Sequence, residues 1–371
     1  MITYIRRVSL KGIFMNLLKD LIHAYKINKR MKNYKYIHIM FNDKFNKPFV
    51  DFLNRQFNNN EHLILCKRFF DNYPFPEGEN VIEIKSLKYL NFKSAKKIIC
   101  HSLFDDELVD FLYKHQNLLK TQAYWLIWGG DLYKAPDDKI NNYVRKNIKG
   151  YIAAIQGDEI CAQKKYKNPN TELFSAAIPC AITLEHLKNA QITPPPRQSV
   201  KILINNSCDS TTLEMMDILS VFREKNIKIC TILSYGALEY KDEIIKKGKE
   251  LFGKNFEYLE KFLGPQEYVD FLAQHNILIL NQNRQQGCGN ISNALYLGIK
   301  IFIKKELVHY SYFKNEGCSI FDTNTIKNLS FEEFIAMPDE LKTKNKNVIT
   351  DHYNENVKTQ AWKKVFGENN A

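Results

Sequence analysis

The chain has 371 residues, 44% hydrophobic, 13% aromatic and 25% charged, and a formal net charge of +12. That length predicts two domains, and so much apolar material excludes a disordered chain. No apolar stretch reaches the roughly eighteen residues of a membrane span, and no apolar leader with a small-residue cleavage site opens the sequence, so a cytoplasmic protein is expected.

Residues 1–34 read as a basic amphipathic helix. Residues 1–35 carry nine Lys or Arg against the single acid Asp20, so 9 − 1 = +8, leaving +4 for the rest of the chain. Ile13, Phe14, Leu17, Leu18, Leu21, Ile22 and Tyr25 form an apolar stripe at helical spacing. Such a helix suits an anionic membrane surface, or packs on the body of the protein. Residues 35–193 alternate strand-length apolar runs (Tyr36–Met40, Leu63–Cys66, Val81–Ile84, Lys97–Cys100, Ala123–Trp128, Tyr151–Ile155, Phe174–Ile178) with helical patterns such as Lys47–Phe57 and Asp106–Gln116. This rhythm predicts a parallel α/β layer. Pro194-Pro195-Pro196 breaks it and reads as the interdomain linker.

Residues 197–330 repeat the rhythm, with strands at Lys201–Ile204, Ile227–Leu233, Phe256–Leu259, Ile277–Leu280 and Ile301–Ile303. Residues 331–371 are a charged, helical tail. The eight cysteines (66, 100, 161, 180, 208, 230, 288, 318) form no Cys-x-x-Cys pair and read as free thiols in a reducing compartment. Without an Asp-x-Asp pair or a His/Cys cluster at ligand spacing, neither a metal nor another cofactor is expected.

The segment 281–291, Asn-Gln-Asn-Arg-Gln-Gln-Gly-Cys-Gly-Asn-Ile, lies between a strand and a helical pattern. Gly287 and Gly289 let backbone approach a ligand, and the helix start offers free N–H groups and a positive dipole end. Arg284 can fork onto phosphate, while Gln285, Gln286 and Asn290 offer amides to a sugar or base. The pattern fits a diphosphate carrying a polar group, or a solvated glycine-rich turn. Asn206 and Ser207, beyond another strand, can line the diphosphate, with Asp209 or Ser210 capping the next helix. Tyr235 can stack on a nucleobase or simply pack. In the N-terminal half, Asp131 in Trp128-Gly129-Gly130-Asp131 is the candidate base for an acceptor hydroxyl, or a turn cap. His101 is a second candidate, or a structural histidine, and Asp43 and Lys44 follow the first strand.

His101-Ser102-Leu103-Phe104, Trp128–Tyr133, Tyr235-Gly236 with Tyr240, Tyr268, Asn281 with Arg284-Gln285-Gln286, Gly289-Asn290-Ile291 and Leu295–Gly298 resemble glycosyltransferase family 56, the TDP-N-acetylfucosamine:lipid II N-acetylfucosaminyltransferase family. The resemblance runs in patches from Tyr36 to Gly367. It implies a GT-B type fold, two Rossmann-like parallel-sheet domains facing each other across a cleft. The N-terminal domain would take the acceptor and the C-terminal one the nucleotide sugar, with the tail returning to the first domain. It further implies transfer of an acetamido-deoxyhexose, TDP-linked and N-acetylfucosamine-like, to a lipid-linked saccharide of a bacterial surface polysaccharide, at the inner face of the inner membrane and without a required metal. Cys288 and the basic N-terminal helix depart from the family pattern. A GT-B-like nucleotide-sugar epimerase would share the architecture but form product without an acceptor. A nucleic-acid-binding protein would lose its binding with residues 1–35, where two thirds of the excess charge sits.

Overall fold

The computed structural model describes residues 10–71, 73–191 and 199–368, which form two compact units. The first takes the chain up to Ala153, Glu159–Phe174 and the tail from Lys363. Its strands are β1 (Tyr36–Phe41), β2 (His62–Lys67), β3 (Val81–Glu83), β4 (Lys97–His101), β5 (Ala123–Ile127), β6 (Gly150–Ala153) and β7 (Glu172–Ser175). They lie in the order β3-β2-β1-β4-β5-β6-β7, with parallel pairing from β3 through to β6. The central strands are buried on both faces, which is why they read as unbroken apolar runs. β7 ends at Ser175, so the run expected at Phe174–Ile178 is only partly strand.

The helical pattern over Asp106–Gln116 is interrupted at His115, whose ψ of 58° leaves helical space, giving helices Asp106–Lys114 and Gln116–Thr121. The N-terminal helix spans Leu10–Met31. Ala24, Ile27 and Met31 in its last turns belong to the first unit's core, while Leu17, Leu18, Leu21, Ile22 and Tyr25 are exposed. The helix thus packs through its C-terminal end, and the described part of its apolar stripe, from Leu17 to Tyr25, is exposed.

Three histidines cross this core diagonally. His62 pairs in register with Tyr36, His38 lies two residues further along β1, and His101 follows the Ile39–Cys100 pair. His38 Nδ1 is 3.1 Å from His101 Nε2, and His38 Nε2 is 3.2 Å from His62 Nδ1. Phe49 and Phe366 pack on the file, and Tyr36 donates to the Phe366 carbonyl at 2.8 Å.

The second unit holds Ala154–Asp158 and Ser175–Trp362. Its strands β8 (Val200–Ile204), β9 (Ile227–Ile232), β10 (Phe256–Leu259), β11 (Ile277–Leu280), β12 (Lys300–Ile303) and β13 (Phe321–Asp322) are all parallel, in the order β10-β9-β8-β11-β12-β13. β13, with only two residues, is too short to show a periodicity. The boundary between the units falls at Ser175, ahead of Pro194–Pro196, which lie outside the described residues. The last helix, Glu355–Phe366, begins in the second unit, and its residues from Lys363 belong to the first.

Burial holds His62 and His101 at about 3, against 6.5 for an ordinary imidazole, and holds His38 well below the ordinary value too. Below pH 6.5 the unfolded chain takes up protons that these folded histidines refuse, so stability falls as pH drops from 6.5 towards 3. His62→Asn keeps a polar partner for His38 but cannot titrate. Its unfolding free energy should fall less steeply between pH 6 and 4, by about 1.4 kcal/mol per pH unit. Urea melts across that range measure the slope.

Candidate functional site

In both sheets the strand order reverses direction, between β1 and β4 and between β8 and β11. Ligands of open parallel sheets gather beyond the carboxyl ends of the strands at such switch points. In the second unit, Asn205-Asn206-Ser207 leaves β8 there and Asn281-Gln282 leaves β11. Asn206 is fully buried, and its Oδ1 accepts from the Asn281 N–H at 2.8 Å. Ser207 sits at φ 61°, a strained angle for a residue other than glycine. Its hydroxyl accepts from Gln286 Nε2 at 3.4 Å, and Gln286 also reaches the Tyr235 hydroxyl at 3.5 Å. Tyr235 donates to Asn205 Oδ1 at 3.4 Å. Asn206, Ser207, Tyr235 and Gln286, far apart in sequence, therefore share one site.

Arg284 is half-buried and, among the described residues, donates to the neighbouring Gln285 carbonyl at 3.4 Å. Burial lowers its pKa, while Tyr235 and Asp209 nearby favour the charged form. The following helix, Cys288–Tyr296, is capped by Gly287 at φ 74°. A side chain at Gly287 would be strained there and would stand 3.2 Å from Leu280 Cδ2. Gly289 has ordinary helical backbone, and a Cβ would meet Cys180 Sγ at 3.5 Å, so no backbone constraint demands glycine. Gln285 donates to Cys288 Sγ. Asn290 is half-buried in the first turn, its Nδ2 4.0 Å from where a Gly287 Cβ would stand.

Asn205 Nδ2, Asn206 Nδ2 and Gln282 Oε1 are buried with no hydrogen-bond partner among the described residues. Such groups are rare, and these three cluster beyond two adjacent strands, where a polar ligand would find partners. Asn205 and Gln282 escaped the sequence reading. Their signal was a polar residue within two positions of the end of an apolar strand.

The first unit places its candidates differently. Asp131 is fully buried, and its carboxylate accepts from Trp125 Nε1 at 2.6 Å, the Trp128 N–H at 2.9 Å and the Leu103 N–H at 3.1 Å. Burial raises its pKa, while these bonds and Arg145 oppose the rise. Arg145 in turn donates to the Leu103 carbonyl at 2.9 Å. Together they clamp the turn after β4, where Ser102 sits at φ 75°. Asp131 is thus placed to hold that turn rather than to meet a substrate. His101 lies in the histidine file, 2% exposed and lowered to about 3 by burial. Asp43, just past β1, is half-buried; its Oδ1 accepts from the Phe45 and Asn46 N–H groups, and burial raises its carboxyl to about 6.

A model of the family described as 4-alpha-L-fucosyltransferase, glycosyl transferase group 56, matches residues 77–370. The chain belongs to glycosyltransferase family 56. The chain is therefore a nucleotide-sugar glycosyltransferase of fucosyltransferase type, and the epimerase and nucleic-acid alternatives fall away. Solved structures agree on the GT-B fold at identities too low to say more. A glycosyltransferase from Rickettsia africae ESF-5 is 10% identical, with 90% of this chain and 98% of that one covered at a TM-score of 0.63. A sucrose-phosphate synthase from Thermosynechococcus elongatus is 9% identical, covering 90% and 100% at 0.63. An alpha,alpha-trehalose-phosphate synthase from Burkholderia vietnamiensis is 9% identical, covering 90% and 96% at 0.60. Among the described residues, no group of three or more His, Cys, Asp or Glu is arranged to hold a metal, and no helix is long and apolar enough to cross a membrane.

Asp131→Asn replaces one accepting oxygen with an NH2 donor that faces the donors of Trp125, Trp128 and Leu103. It should destabilise the protein by about 1–3 kcal/mol, the cost of leaving a buried partner unpaired. A matching drop in thermal or urea stability checks this.

Proposed function

We propose that this family 56 enzyme transfers an acetamido-deoxyhexose from a TDP-linked, N-acetylfucosamine-like donor to a lipid-linked saccharide in bacterial surface-polysaccharide synthesis. The observation that carries the donor half is the convergence of Arg284, Gln286, Ser207 and Tyr235 with the N-terminus of helix Cys288–Tyr296 at the β8/β11 switch point. A diphosphate there meets a fixed cation, free helix N–H groups and the positive end of a helix dipole. As the glycosidic phosphate leaves, its growing charge is held by groups already in place. Gln285, Gly289 and Asn290 line the same helix start, and Tyr235 offers its ring to the base.

The acceptor hydroxyl must lose a proton as the sugar arrives. We assign that proton to Asp43 rather than to Asp131 or His101. Asp43 stands at the β1/β4 switch point, is partly exposed, and has a carboxyl near 6, close to the pH at which it would work. It must be ionised to act, so turnover should fall as pH drops through about 6.

The lipid-linked acceptor and an inner-membrane-face location are supported by the N-terminal helix. Its exposed Leu17, Leu18, Leu21 and Ile22 lie among Lys19, Lys26, Lys29 and Arg30. An anionic membrane offers up to about 1 kcal/mol per basic residue, enough for several together to give reversible attachment.

Arg284→Ala should weaken TDP binding by about 1.5–3 kcal/mol in calorimetry. Asp43→Asn should leave that affinity intact while cutting turnover roughly a hundredfold. Unchanged TDP affinity in the arginine variant would remove the diphosphate from this loop.

Because Ala24, Ile27 and Met31 belong to the core, the helix is tested by substitution rather than deletion. Replacing Leu17, Leu18, Leu21 and Ile22 by Ser should release the protein from anionic liposomes and slow transfer to a lipid-linked acceptor. Transfer to a water-soluble analogue should hold. Equal sedimentation of variant and wild type with the vesicles would clear the helix of an anchoring role.

A further inference from the structure

Helix Val308–Asn315 follows β12, the strand beside donor strand β11. His309, its second residue, is 0% exposed, and neither Nδ1 nor Nε2 has a hydrogen-bond partner among the described residues. Burial lowers this histidine to about 4. It is therefore neutral at physiological pH, with one N–H to give and one lone pair to receive. Burying both without partners works against folding, and a protein keeps such a group where something else uses it.

The surroundings name the user. Tyr312 lies one turn further along the same helix, on the face that His309 occupies, and its phenol is within electrostatic reach of the Cys288 thiol. Cys288 opens the donor-loop helix and has the buried Asp158 as a further ionisable neighbour. At the next residue back, a Cβ on Gly157 would come within 2.7 Å of Val308 Cγ1. The start of the His309 helix thus packs on the segment 154–158, which lies near Cys288 at the start of the donor-loop helix, all within the second unit.

We infer that His309 binds the sugar of the nucleotide-sugar donor, its imidazole giving one hydrogen bond to, and accepting one from, a hydroxyl or acetamido group. Arg284 and the helix N-terminus hold the diphosphate; His309 reads what the diphosphate carries. This inference rests on the donor reading above.

Calorimetry with TDP and with TDP-N-acetylfucosamine, on wild type and His309→Phe, tests it. Phenylalanine keeps the ring and removes both unpaired nitrogens. The variant should bind TDP within about twofold of wild type, bind the sugar nucleotide at least about tenfold more weakly, and melt at the same or a higher temperature. His309→Asn, which retains a donor and an acceptor, should regain part of the preference for the sugar. A lower melting temperature with equal losses for both ligands would make His309 a structural residue and overturn the inference. So would unchanged affinity for both. Wild-type protein that binds neither ligand would overturn the donor reading, and this inference with it.

Discussion

One hydrogen bond organises the switch-point end of the second unit: the Asn281 N–H to the side-chain oxygen of Asn206, at 2.8 Å. It forms where the β8–β11 ladder stops, and it extends the tie between the two strands one step past their ends. Fully buried, Asn206 has no water to compete for that bond, so both departing loops leave at a fixed position. The strained Ser207 comes next on one loop, and the Gln286 amide reaches it from the other. Arg284, the Gly287 cap and the helix start take their places from this anchor.

The first unit meets the same problem with a charge. Asp131 ties the turn after β4 to the end of β5 through N–H groups of Leu103 and Trp128 and the Trp125 indole. A buried carboxylate persists only when its lone pairs are used and a cation is close, and Arg145 meets the second condition. Both units place a serine at positive φ just past a strand bordering the switch point, Ser102 in one and Ser207 in the other. Strain at equivalent places suits a scaffold that stores it where ligands bind.

Much of this was legible in the sequence. Buried parallel strands declare themselves as short apolar runs, and the strands expected at Lys97–Cys100, Phe256–Leu259 and Ile277–Leu280 sit within a residue of their observed bounds. The loop from Arg284 into helix Cys288–Tyr296 was readable as a candidate because its features are local: Arg284, two glutamines, a left-handed glycine and a helix start are consecutive. Asp131 and His101 are ambiguous in the sequence for a corresponding reason. A carboxylate after two glycines and a histidine at a strand end look alike in sequence whether they face a ligand or the core.

The sequence by itself determined the alternation of strand and helix and the family, because each depends on residues near one another along the chain. Only the tertiary structure decided which polar groups stand inside and which at the edge. Strand pairing and helix packing set that, joining residues as distant as His38 and His101, or Asn206 and Asn281. Burial then sorted the carboxylates. Asp131 became a brace with its bonds filled, while Asp43, half-buried at the rim, kept a carboxyl raised to about 6.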